Sequence, residues 1–179
     1  EIHLPKYELS EEEKAAGYAD PIDLFWEVIT QGLEDKVKAK GKDVEVYLDR
    51  VDREYDVISR GGFESYFLIL RDIINWCQRN DVMVGTARGS AAGSLIAYLL
   101  NVTRVDPLEY DLIFERFLNE SRVGKGLPDI DSDFESDRRD DVKKYMEQRF
   151  GVNNVASIGT YSGLMTKGAF KDLLRFHGE

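Results

Sequence analysis

Three aspartates occupy alternate positions in Leu127-Pro128-Asp129-Ile130-Asp131-Ser132-Asp133-Phe134. In an extended strand, side chains at i, i+2 and i+4 share one face. Asp129, Asp131 and Asp133 would then line one edge while Ile130 and Phe134 turn toward a core. Stacked like charges repel, and a cation between them relieves the repulsion. Positions i and i+2 have Cα atoms ~6.6 Å apart at the extended rise. Two carboxylates so spaced can converge on divalent ions ~3.5–4 Å apart, the arrangement of two-metal phosphoryl transfer. The outer pair, roughly 13 Å apart by the same rise, is too distant to share an ion, so two of the three are expected to act together. Two plainer readings compete. Short acidic clusters commonly form solvated turns. An EF-hand register starting at Asp129 would use Asp131, Asp133 and Asp140, but it places Phe134 where the loop needs glycine and Asp140 where a bidentate Glu is preferred.

A second stretch suggests anion binding. Gly85-Thr86-Ala87-Arg88-Gly89-Ser90-Ala91-Ala92-Gly93-Ser94 lies between a short expected strand, Val82 to Val84, and an expected helix from Leu95 to Leu100. Small residues there let backbone N–H groups approach an anion at a helix start, and Arg88 can add a charge-assisted bond to phosphate. The alternative is that Gly89, Ala92 and Gly93 serve only close packing. Two standard phosphate motifs are excluded. Gly93 is followed directly by Ser94, without the lysine of a Walker loop, and Gly85-Thr86-Ala87 breaks the dinucleotide fingerprint. Arg122 and Lys125, just before the acidic stretch, would either pair with the aspartates or face a triphosphate.

The elements that must position these residues are mostly helical by pattern. Ser10 to Glu13 forms a capping box opening a short helix. Asp20-Pro21 opens the next, with Leu24, Phe25, Val28, Ile29 and Leu33 as its apolar stripe and Gly41 at its end. Val44, Leu48, Val51, Tyr55 and Ile58 mark a third, broken by Gly61-Gly62. Phe63 to Gln78 reads as a buried helix. Further helices are predicted over Leu108 to Leu118, Asp137 to Phe150 and Gly163 to Phe176, and a strand over Val155 to Ile158. Alternation of helices with short strands places the chain in the α/β or α+β class.

With 179 residues and 42% hydrophobic content, the chain can bury one substantial core or two lobes. Its net charge of −10 argues against a general nucleic-acid-binding patch, so any such contact is local. The single cysteine, Cys77, precludes an intrachain disulfide, suits a reducing cytosol and is read as packing. No apolar run reaches membrane-spanning length. The chain starts with Glu1 rather than Met, and it is expected to be a piece of something longer.

The glycine-rich stretch and the Pro-Asp-Ile-Asp-Ser-Asp-Phe stretch, taken in order, resemble the catalytic palm of the C family of bacterial replicative DNA polymerases, the DNA polymerase III alpha subunits. The resemblance runs from about Tyr47 to the end. It includes Gly62-Phe63-Glu64-Ser65-Tyr66-Phe67-Leu68-Ile69, the run from Asp106-Pro107 to Leu118-Asn119, and Ala169-Phe170-Lys171-Asp172. It implies a nucleotidyltransferase-like, polymerase beta-like palm with a small mixed sheet over 61–179, preceded by an N-terminal helical region over 1–60. By the same resemblance, Asp129 and Asp131 match the metal-binding pair for two Mg²⁺ ions, and Asp133 matches an acidic position ranked below them. Gly89 and Ser90 match the phosphate element, with Arg88 beside them, and Arg116 matches a triphosphate-contacting arginine. The implied activity is template-directed nucleotidyl transfer in a longer, cytoplasmic parent, with primer–template DNA, dNTP and other replisome subunits as partners and no membrane. The piece alone is expected to be inactive.

Three departures stand out. Thr86 and Ala87 occupy positions where the family usually has Pro and Gly. The loop Val123 to Leu127 is about two residues longer than usual. The family's third catalytic aspartate falls beyond Glu179. The rival functions are a template-independent nucleotidyltransferase and a non-catalytic Ca²⁺-binding or scaffold module.

Overall fold

The computed structural model describes residues 3–120, 128–161, 163 and 165–178. The predicted cations Arg122 and Lys125, and the long loop from Val123 to Leu127, lie outside the described residues. The chain divides into two units, Glu1–Tyr145 and Met146–Glu179.

The first unit is a helical assembly. α1 (Glu11–Ala15) starts with the predicted capping box: Ser10 Oγ accepts from the Glu13 amide at 3.2 Å, and the Ser10 amide donates to the Glu13 carboxylate at 2.8 Å. α2 (Pro21–Lys36) starts at Asp20, whose carboxylate accepts from the amides of Ile22 and Asp23. α3 (Val44–Gly61) is capped by Asp43 and stopped by Gly62, whose φ of 65° suits a residue without a side chain. α4 (Glu64–Arg79) and the short α5 (Leu95–Leu99) complete the packed set. Their apolar faces meet at Phe25, Ile29, Val51, Ile58, Phe67, Leu68, Leu95 and Leu99, all at most 1% exposed. Phe67 stands edge-on to both Phe25 and Phe117, the favoured aromatic geometry. α2 and α5 pack so tightly that a Cβ at Gly32 would sit 2.7 Å from the Leu99 carbonyl oxygen.

The structure corrects the expected fold class. Among the described residues there is no strand and no sheet, so the chain is helical rather than an α/β palm with a mixed sheet. The two segments expected as strands do meet, but in one antiparallel bridge, Val84 to Phe134. The Gly85 amide donates to the Asp133 carbonyl at 2.9 Å, and the Glu135 amide to the Met83 carbonyl at 3.0 Å. The ladder ends there because the chain after Gly85 turns away: Thr86 offers its carbonyl to the Arg104 amide at 2.7 Å instead. Residues 155–158 form no strand, and Ile158 is 91% exposed.

The segment from Leu108 to Leu118 is not a helix either. Asp106 caps it, accepting from the Leu108 amide at 3.0 Å, but Asp111 adopts φ 50° and interrupts the winding. Only a 3-10 turn, Phe114–Arg116, follows. α6 spans Arg139–Phe150, and the second unit holds α7 (Thr166–His177). No helix among the described residues is long and apolar enough to cross a membrane.

Candidate active site

A buried carboxylate holds the glycine-rich stretch in place. Glu54 lies on α3 in register with Tyr47, Val51 and Ile58 and is 0% exposed. It accepts from Arg50 Nε at 2.6 Å, from Ser94 Oγ at 2.9 Å, and from the amides of Leu95 and Ile96 at 2.9 and 3.0 Å. Burial pushes its carboxyl above the ordinary range, while the two amides and Arg50 pull the other way. A buried charge persists only when it is paired and hydrogen-bonded in this manner. Arg50 Nη2 also donates to the carbonyls of Gly93 at 2.7 Å and Leu112 at 3.0 Å. It therefore ties the 3-10 turn Gly89–Gly93 to the segment that ends in Phe114–Arg116. At Gly93 a Cβ would lie 2.7 Å from the Ile113 carbonyl oxygen, so glycine is what lets these backbones approach.

The acidic segment lies against this loop. From Pro128 to Phe134 exposure alternates: Asp129, Asp131 and Asp133 are exposed, while Pro128, Ile130, Ser132 and Phe134 are buried or half-buried. The two-residue period expected of extended backbone is thus present without a sheet. Two of the carboxylates sit against the loop. A Cβ built at Gly89 would stand 3.6 Å from Asp131 Oδ2, and one at Gly85 would stand 3.5 Å from Asp133 Oδ2. Gly89 has φ 61°, a conformation that favours glycine. Arg88 Nη1 donates to Asp133 Oδ1 at 2.7 Å.

The structure therefore brings together Arg88, Gly89, Asp131 and Asp133. Ser90 is exposed within the same 3-10 turn as Gly89. Asp129 joins Asp131 in acting on one neighbour, the Tyr66 phenol of α4. Arg116 is exposed at the end of the turn Phe114–Arg116, which packs on the turn Gly89–Gly93.

Sequence reasoning assigns no site role to three positioning residues, Arg50, Glu54 and Tyr66. Arg50 and Glu54 hold the loop, and the signal for Glu54 was its place at the i+3 position after Val51, inside an apolar register. Tyr66 lies beneath the acidic segment. Burial raises its pKa, the nearby charges of Asp129 and Asp131 raise it further, and a backbone hydrogen bond at Ile130 opposes them.

Among the described residues no group of three or more His, Cys, Asp or Glu is placed to hold a metal ion. Asp129 and Asp131 are both exposed carboxylates, and Asp131 lies against Gly89, a donor type that suits Mg²⁺. That ion is usually bound by one or two carboxylates, keeps several waters and takes substrate phosphates as further ligands.

The sequence matches the family described as "Bacterial DNA polymerase III alpha NTPase domain" over residues 23–179. It is 43% identical over 175 residues to the DNA polymerase III subunit alpha of Staphylococcus aureus (strain COL), covering 98% of this chain and 15% of that protein. It is 40% identical over 176 residues to the like-named protein of Aquifex aeolicus (strain VF5), covering 98% of this chain and 14% of the relative. The chain thus spans about 15% of the length of the curated relatives it matches.

Proposed function

The chain belongs to the bacterial DNA polymerase III alpha NTPase domain family, and from that premise we propose that it forms the nucleotide- and metal-binding region of a replicative, DNA-directed DNA polymerase. The helical region 1–60 leads into the catalytic region 61–179, and the whole enzyme is longer and cytoplasmic. Its partners are primer–template DNA, a dNTP and other replisome subunits. The observation that supports this reading best is Asp131 with a carboxylate oxygen against Gly89, on the same exposed side of the segment as Asp129.

Asp129 and Asp131 would hold two Mg²⁺ ions, which would supply Lewis-acid activation of the primer 3′-hydroxyl and charge neutralisation on the departing pyrophosphate. The chain's own part is to position and to stabilise charge, which is most of what phosphoryl transfer asks of a protein. The turn at Gly89 and Ser90 offers backbone N–H groups to the triphosphate. Arg88 and Arg116 supply positive charge to its oxygens. Asp133 aims and holds Arg88, which gives it a different task from that of Asp129 and Asp131.

The test is primer extension by the full-length polymerase carrying Asp129→Ala or Asp131→Ala. Both side chains are exposed, so circular dichroism and melting temperature are expected to stay near wild type. Incorporation is expected to fall by at least about a hundredfold, since charge stabilisation by bound metal amounts to several kcal/mol. Near-normal incorporation by either variant overturns the reading.

A further inference from the structure

α7 carries its lysines and arginine on one side and its most exposed apolar residues on the other. Lys167, Lys171 and Arg175 recur at i, i+4 and i+8 and are all exposed. At about 100° per residue they fall in a sector roughly 80° wide. Phe170, Leu173 and Phe176 fall in another sector, centred roughly 160° away by the same count, and they too are exposed, at 61%, 58% and 85%. Over Thr166–His177 the only acid is Asp172, so this helix carries net positive charge in a chain whose total is −10. Among the described residues, none of the three cations takes part in an ion pair. Elsewhere in the chain cations are commonly neutralised: Lys42 by Asp106 and Glu109, Arg60 by Asp56 and Glu120, and Arg138 by Asp141.

We infer that the Lys167–Lys171–Arg175 stripe is a phosphate-backbone contact for primer–template DNA. Successive cations stand ~6 Å apart along the helix axis, and the stripe spans ~12 Å. That is a short row of point charges suited to a strand's phosphates, without sequence preference. The inference rests on the proposed polymerase function, and it reconciles DNA binding with the overall negative charge. The sequence-independent contact with the DNA backbone is a local row of cations, distinct from the approach of the primer end to Asp129 and Asp131. A basic amphipathic helix also suits an anionic membrane surface, and the experiment separates the two.

The experiment uses the full-length polymerase with Lys167→Gln, Lys171→Gln and Arg175→Gln combined, and a second variant with Lys167→Arg, Lys171→Arg and Arg175→Lys. Affinity for a labelled primer–template duplex is measured across a salt series without dNTP. Each lost phosphate contact lowers the slope of log affinity against log salt by ~0.9, so the glutamine variant is expected to lose up to about 2.7 in slope. Its affinity at low salt is expected to fall at least tenfold. The charge-preserving variant is expected to match wild type. An unchanged salt slope in a glutamine variant with a wild-type melting profile overturns the inference, as does an equal loss in the charge-preserving variant. Binding to phosphatidylserine vesicles that depends on the stripe, with DNA binding unaffected, also overturns it. If Asp129→Ala and Asp131→Ala abolish incorporation while the stripe proves irrelevant to DNA, this inference fails alone. If the wild-type enzyme does not bind primer–template, the function proposed above fails with it.

Discussion

Asp131 and Gly89 define each other's roles at the scale of single residues. The glycine at φ 61° bends the loop so that its α-carbon faces the carboxylate, and an added Cβ would fit at 3.6 Å from Oδ2. The penalty for Gly89→Ala is therefore conformational rather than steric, about 1–2 kcal/mol for a side chain in the left-handed region. A urea melt of Gly89→Ala is expected to show that loss, with reduced incorporation in the full-length enzyme. Gly93→Ala differs in kind, because its Cβ would meet the Ile113 carbonyl oxygen at 2.7 Å. The turn Gly89–Gly93 would have to move off the segment before Phe114, so chemical denaturation is expected to show a loss of about 1–3 kcal/mol. The acidic residues were legible in the sequence because their two-residue period survives in the exposure pattern. Arg88 was legible by type, but its 2.7 Å bond to Asp133 was not, since it needs a fold that folds Gly85–Ser94 back on residues 128–134.

At the scale of elements, the load falls on α3. Glu54 receives four donors from its own helix, from Ser94 and from the start of α5. Removing it leaves Arg50 partly buried without its carboxylate, a change that costs about 3–5 kcal/mol. Glu54→Ala is expected to lose that much in urea denaturation and to weaken dNTP binding by releasing the turn. A second anchor joins the α2–α3 connection to the segment after α5. Lys42 Nζ sits 2.7 Å from Asp106 Oδ2, and the Tyr47 hydroxyl donates to the same oxygen at 2.7 Å.

Burial alone would raise the Asp106 carboxyl, but the bonds from Lys42, Tyr47 and the Leu108 amide outweigh it and hold it below the ordinary value. Burial beside Asp106 also pushes the Tyr47 hydroxyl up to about 12. A carboxyl depressed in the folded state contributes stability that is complete above its unfolded value, ~3.9, and is lost as pH falls through the folded value. Asp106→Asn is thus expected to be less stable than wild type at pH 7, with the gap in urea midpoint closing as pH falls below about 4.

The helices were legible where caps and stripes agreed, as at Ser10, Asp20 and Gly62. The strands were not. A two-residue alternation is produced equally by an extended segment lying on helices, and only the hydrogen-bond ladder separates that from a sheet. Leu108 to Leu118 has apolar residues at helical spacing, but Asp111 at φ 50° and the Arg50 bond to the Leu112 carbonyl give it a different path.

At the scale of the whole molecule, the first unit carries a helical core and a small polar surface built from its loops. The core comes from α2, α3, α4 and α5, and the candidate site comes from two irregular segments that meet in a single bridge, Val84 to Phe134. Loops on a rigid scaffold are a common place for binding chemistry. The chain covers 98% of its own length, but only 15% of the relative's, in its match to the Staphylococcus aureus protein. Assays of function therefore belong in the full-length polymerase. The most direct measurement is a Mn²⁺ titration, followed by electron paramagnetic resonance, of that polymerase bound to primer–template and dNTP, using Mn²⁺ as the paramagnetic substitute for Mg²⁺. The account predicts two tightly bound ions in the wild type and loss of tight binding in Asp129→Asn combined with Asp131→Asn. The same number of ions, held as tightly in the double variant as in the wild type, would contradict it.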